Sequence, residues 1–228
     1  ISEVVGDPRG DVTNFWNILR DPRSFEELRR ACEATPFDEA IFENPNAVPS
    51  GLRPAVHLAW DFFVRVRLSL SGRMKGFASI TRNRTRRGMN EQMSAWLTAI
   101  DGLPDVHARI KRTLVRCKPA LELLLSEDGP RTLFYLDPPY LHETRVSTDE
   151  YGEHEMTPEQ HKELLDALVA LEGRFMLSGY RSALYDEYAA RWGWHLTEFN
   201  VPNHAASGKT KRRMVECIWT NFPPVLAV

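Results

Sequence analysis

Asp137-Pro138-Pro139-Tyr140 closes a run of β-branched, aromatic and aliphatic residues, Thr132-Leu133-Phe134-Tyr135-Leu136. The composition of that junction predicts its chemistry. A short continuous apolar run suits a strand of a parallel sheet covered on both faces, so Leu133 to Leu136 is expected to be a buried central strand. Proline has no N–H and a fixed φ, so Pro138 and Pro139 end the ladder. Asp137 is then expected at the carboxyl edge of the sheet, where open α/β folds place their ligands. The stiff backbone would hold a carboxylate, the proline carbonyls and the Tyr140 ring in one fixed geometry. A plain strand-ending turn is the alternative reading of the same four residues.

Other residues invite chemical readings of their own. Asp7 follows Gly6 at the end of a short apolar stretch, a place where nucleotide folds bind ribose hydroxyls and where a simple turn acid is also expected. Eight Lys or Arg and no acid lie between Phe62 and Asn90, and four more, again without an acid, between Phe199 and Val215. Although the formal charge is −2, two such stretches can present a positive face to a polyanion. Arg82, Arg84, Arg86 and Arg87, with Lys209, Lys211, Arg212 and Arg213, are the expected phosphate contacts. His142, Glu143, Asp149, Glu153, His154, Glu155 and His161 suggest a metal, but they show neither His-Glu-x-x-His nor a calcium loop. A solvated loop is the expectation for them, and no metal site is assigned. His161 is expected to be a core histidine. Glu216, in an otherwise apolar strand, needs a partner.

The elements that must position these groups follow from periodicity. Ile1 to Val5 reads as a buried strand. Val12, Phe15, Trp16 and Leu19 predict a helix, and Asp21-Pro22 ends it. Ser24-Phe25-Glu26-Glu27 reads as a capping box. Thr35 to Gly51 reads as loop with room for one helical turn, Pro54 to Leu70 as a long helix, and Gly72 to Gly88 as a polar stretch without helical period. Met89, Met93, Trp96, Leu97 and Ile100 predict the next helix. A helix from Pro104, a strand over Thr113–Cys117 and a leucine-rich helix opened by Pro119 follow. Thr157-Pro158-Glu159-Gln160 should cap a helix to about Leu171, Arg174 to Ser178 a strand ending at Gly179-Tyr180. Trp194–Asn200 and Met214–Asn221 should pair antiparallel across a loop too short for a crossover. Three cysteines, Cys32, Cys117 and Cys217, point to a reducing, cytoplasmic setting without disulfides.

Asp137-Pro138-Pro139-Tyr140 resembles the DPPY motif of DNA amino-methyltransferases, which transfer a methyl group from S-adenosylmethionine (AdoMet) to an exocyclic amino nitrogen. The likeness extends to Leu141-His142-Glu143-Thr144-Arg145, Tyr151, His161 with Leu164, Ser178-Gly179-Tyr180, and Glu216 with Trp219-Thr220-Asn221. Ser2 to Asp7, followed by Asp11 to Trp16 and Leu19 to Asp21, looks like the family's second strand. The resemblance implies a Dam-like adenine methyltransferase: a Rossmann-like α/β sheet with a C-terminal antiparallel hairpin and a helical insertion lobe. It implies a catalytic domain over residues 1–21 and 103–228, with target recognition over 22–102.

The resemblance also assigns roles. Asp137 and the Pro138 carbonyl would hold the target amino group, and Tyr140 would stack on a base flipped out of double-stranded DNA. Asp7 and Asp137 would contact AdoMet. The family's glycine-rich cofactor turn is expected ahead of the Asp7 strand. No Gly-x-Gly occurs here, and Lys118-Pro119 stands where an acid is usual. Two alternatives stay open: a non-catalytic nucleic-acid-binding relative, and an enzyme acting on the cytosine amino group.

Overall fold

The computed structural model of the protein describes residues 2–44, 51–78, 84–144, 155–202 and 213–224. About half of these are helical, and the strands form small sheets, so the chain is a mixed α/β protein. It divides into two compact units, Ile1–Ala120 and Leu121–Val228.

In chain order the first unit holds β1 (Glu3–Gly6), α1 (Gly10–Arg20), α2 (Pro22–Glu33), α3 (Glu39–Glu43) and α4 (Pro54–Leu68). After these come β2 (Thr85–Arg86), β3 (Met89–Asn90), α5 (Glu91–Asp101), α6 (Leu103–Ile110) and β4 (Thr113–Arg116). β1 and β4 pair in parallel, from Glu3 opposite Thr113 to Gly6 opposite Arg116. Arg109 clasps the Glu3 carboxylate through both terminal nitrogens, at 2.6 and 2.9 Å, across the start of that pair. The expected burial of β1 is not observed: Val4 and Val5 are exposed, and among the described residues β1 has a partner on one edge only.

The helices bury one core. Phe15, Leu19, Leu28, Val56, Trp60, Phe63 and Trp96 form its centre. Its polar anchor is Thr35, whose hydroxyl donates to the Ala31 carbonyl at 2.7 Å and accepts from the Trp60 indole at 2.9 Å. The Thr35 carbonyl takes the Trp96 indole at 3.0 Å. A residue expected at the head of a loop thus satisfies two buried indoles, each of which would lose a hydrogen bond without it.

Three local expectations are corrected. Asp21, not Ser24, caps α2: its carboxylate accepts from the Ser24 amide at 2.8 Å, and Pro22 opens the helix. α4 stops at Leu68, and Leu70 is exposed beyond it. Met89 belongs to β3, Asn90 caps α5, and Leu97 points outward.

The second unit carries α7 (Ala120–Glu127), β5 (Leu133–Leu136), α8 (Pro158–Val169), β6 (Arg174–Gly179), α9 (Ala183–Trp192), β7 (His195–Pro202) and β8 (Arg213–Thr220). Its sheet runs β5-β6-β8-β7, with β5 and β6 parallel and the remaining pairs antiparallel. The expected hairpin is therefore present, with β8 inserted between β6 and β7. α8 starts at the expected capping box of Thr157 and Gln160.

Leu124 of α7, Leu164, Leu165 and Leu168 of α8, and Tyr185 and Tyr188 of α9 pack against Leu136, Phe175, Leu177, Cys217 and Trp219. All three helices cover the same face, since those strand residues share one side of the pleat. This corrects the reading of β5 as a central strand buried on both faces. Among the described residues it is an end strand, with Leu136 buried and Leu133 and Tyr135 turned outward at 57% and 64% exposure. A period-2 strand covered on one side must alternate, whatever its composition.

Candidate functional site

The site grows from the end of the β5–β6 ladder. The last paired residues are Leu136 and Leu177. Asp137 follows the end of β5 and Ser178 is the next residue on β6, brought level by the parallel register. The Ser178 hydroxyl lies 2.7 Å from Asp137 Oδ1 and 3.1 Å from the Leu136 carbonyl. It has one proton to give, and the shorter contact to a carboxylate is the stronger. Asp137 itself is exposed, whereas Ser178 is buried, so a fixed hydroxyl holds an accessible acid.

Pro138 and Pro139 carry the chain away from the ladder without helix or strand. Tyr140 arrives half-buried, packed edge-on against Tyr180 with ring centroids 4.7 Å apart. Burial, foremost, raises the Tyr140 phenol above its ordinary value; the carboxylates of Asp137 and Glu216 add to the rise, and a hydrogen bond with Ser178 opposes it. The phenol is therefore neutral at any physiological pH. Glu216 lies on the same face of the sheet as Ser178, because Ile218, two residues on, pairs directly with Ser178. Its charge therefore bears on the Tyr140 phenol, together with that of Asp137.

Each residue of Ser178-Gly179-Tyr180 has a separate task. Ser178 holds Asp137, and Tyr180 packs on Tyr140. Gly179 lets β6 pass over Trp219, because a Cβ there would meet the indole at 3.3 Å. Sequence reasoning included these three in a resemblance but assigned none of them to the site. The available signal was a second strand ending in Gly-Tyr, parallel to the one ending in Asp-Pro-Pro-Tyr.

Asp7 lies in the first unit, past the end of β1. Its amide continues the ladder to the Arg116 carbonyl at 3.2 Å, and its Oδ1 accepts from the Arg9 amide at 2.8 Å. That bond is the turn leading into α1, so the turn reading of Asp7 is realised for one carboxylate oxygen.

The basic residues divide into two groups. Arg84, Arg86 and Arg87 are exposed on a β2–β3 hairpin, where Arg87 and Gly88 both have positive φ (55° and 75°), the geometry of a tight primed turn. A hairpin thus replaces part of the stretch expected to be irregular. Arg84 lies 3.8 Å from Glu91, and Arg87 donates to Thr98 at 3.2 Å. Arg82, Lys209, Lys211 and Arg212 lie outside the described residues, as does the side chain of Arg213.

His161 is fully buried, with Nδ1 at 2.9 Å from the Tyr185 hydroxyl, which fits a core histidine. Among the described residues no group of three or more His, Cys, Asp or Glu side chains could hold a metal ion, and no helix is long and apolar enough to cross a membrane. His154, Glu153 and Asp149, part of the run that suggested a metal, lie outside the described residues. No protein-family model matches the chain, and no curated protein matches it.

Proposed function

We propose that this chain is the catalytic part of a DNA amino-methyltransferase that uses AdoMet to methylate the exocyclic amino nitrogen of adenine. The observation that carries the reading is the Asp137 carboxylate, exposed at the carboxyl end of β5, anchored by Ser178 and set beside the Tyr140–Tyr180 ring pair.

The chemistry asks for such a set. An adenine amino group is a poor nucleophile because its lone pair is delocalised into the ring. Acceptors facing its two protons favour a pyramidal nitrogen and expose the pair. Asp137 offers a carboxylate oxygen beyond the one bonded to Ser178, and the Pro138 carbonyl is the second acceptor. The target atom is unreachable inside a duplex, so the base must be extruded. The Tyr140 ring would then stack on it, an interaction worth about 1–3 kcal/mol. No shifted general base is needed, since the proton leaves after transfer; positioning and preorganised charge carry the rate.

AdoMet would supply the electrophilic methyl group. Of the residues the resemblance assigns to it, Asp7 fits a ribose contact: it ends a parallel strand, and only one of its oxygens is taken by the Arg9 amide. Neither a Gly-x-Gly turn nor an acid at Pro119 is present to hold the rest. The sheet of the second unit is read as half of a Rossmann-like methyltransferase sheet, and Arg82, Arg84, Arg86, Arg87, Lys209, Lys211, Arg212 and Arg213 as contacts to DNA phosphates.

The test is transfer of labelled methyl from AdoMet to duplex DNA by the full-length gene product, followed by mass analysis of the nucleosides. N6-methyladenine is the expected product. N4-methylcytosine would move the assignment to the cytosine amino group, and no labelled base at all would leave a non-catalytic relative.

A further inference from the structure

Ser178 is buried, yet its hydroxyl reaches the exposed acid of the motif. It lies 2.7 Å from Asp137 Oδ1 and 3.1 Å from the carbonyl of Leu136, the residue before that acid. Its one proton goes to the carboxylate, the closer and charged acceptor. The backbone of β6 is paired with β5 up to Leu177 and with β8 through Ser178, with Ile218 directly opposite Ser178. Asp137 and Tyr140, by contrast, lie beyond the ladder, on a segment with no strand pairing of its own.

We infer that Ser178 is the positioning residue of this site: it transmits the rigidity of β6 to Asp137, engages its Oδ1, and so turns Oδ2 toward the amino group of the substrate. Ser178 does not touch the substrate. The inference rests on the proposed amino-group methylation for its kinetic consequence, and on the hydrogen bond to Asp137 alone for its structural one.

The test compares Ser178→Ala and Ser178→Thr with the wild-type full-length protein. Misplacing a reacting group by about 1 Å can cost roughly 10²-fold in rate. Ser178→Ala should therefore lower kcat by about 10- to 100-fold with little change in KM for DNA or AdoMet, and Ser178→Thr, which keeps the hydroxyl, should restore most of it. Crystal structures of the variants provide a readout independent of activity: the Asp137 carboxylate should rotate or become disordered in Ser178→Ala and stay in place in Ser178→Thr. Undiminished kcat in Ser178→Ala, or equal losses in both variants, would overturn the inference. If the wild-type protein transfers no methyl group, the parent reading fails by itself. The positioning role is then decided by the crystal structures, and an Asp137 carboxylate unmoved in Ser178→Ala would overturn it.

Discussion

At the scale of single residues, the junction after β5 separates two demands that one side chain could not meet. Under the proposed function the acid must be accessible to the substrate and yet fixed, and accessibility alone would leave its rotamers free. Burying the serine and exposing the aspartate resolves this, because the hydrogen bond carries the restraint across the surface. Asp137→Ala should accordingly leave the fold intact, since the side chain it removes is exposed, while cutting methyl transfer on the order of 10²- to 10³-fold. Near-normal turnover in a well-folded Asp137→Ala protein would refute the catalytic assignment. Tyr140 supplies both a ring and a hydroxyl. Tyr140→Ala removes both and should impair turnover severely. Tyr140→Phe keeps the stacking face and loses only the hydroxyl, so it should retain much of the rate. Single-turnover methylation of the two variants distinguishes these roles, and equal damage would argue against stacking.

At the scale of elements, the turns set the geometry more tightly than the regular segments do. Gly173, just ahead of β6, illustrates this: a Cβ there would meet the carbonyls of Gly129 and Thr132, each at 3.0 Å. Its amide and that of Glu172 donate to the Asp128 carboxylate, both at 3.0 Å, which pins the start of β6 to the turn before β5. The obstructing atoms are backbone and cannot swing aside. Gly173→Ala should therefore destabilise the protein by about 1–3 kcal/mol, seen as a lowered midpoint in urea with an unchanged slope. A midpoint equal to that of the wild type would mean that the turn yields to an added methyl group. The β2–β3 hairpin permits a second prediction. Arg84, Arg86 and Arg87 are exposed on or beside this hairpin, and side chains in such a place can meet phosphates. Replacing Arg84 and Arg86 by Gln should lower the slope of log affinity against log salt on duplex DNA by about one for each phosphate no longer neutralised. An unchanged slope would make the hairpin a solvated surface feature.

At the scale of the whole molecule, unpaired edges and uncovered faces stand out. Among the described residues β1 and β5 each have a partner on one side only. Val4, Val5 and Leu114 are exposed on the first pair of strands, and Leu133, Tyr135 and Phe199 on the open face of the second sheet. Edge strands of apolar composition are templates for further pairing, and contiguous apolar surface favours association. The 228-residue chain by itself should self-associate at micromolar concentration, and added salt should not reverse it, because the driving surface is apolar. Sedimentation velocity over a concentration series checks this; a monodisperse monomer throughout would show that these edges are covered.

The sequence by itself determined most of the helices and strands and where the second sheet's hairpin lies, and it marked Asp137 as the residue on which the proposed chemistry turns. Those features depend on local period, proline and capping, which act over a few residues; the Thr157 box and the strand stop at Pro138 are examples. Only the tertiary structure decided which faces those segments bury. The run Leu133 to Leu136 is apolar throughout, yet α7, α8 and α9 all lie on one side of it, so Leu136 is buried and Tyr135 is exposed. It also decided the second half of the site. Ser178 is 41 residues from Asp137 in sequence and reaches it through the parallel register of β5 and β6. Thr35 reaches two indoles, 25 and 61 residues distant, through the packing of α4 and α5 against the end of α2. Pairings of that range leave no periodic trace in a single chain, because they depend on how elements pack and not on how each one forms.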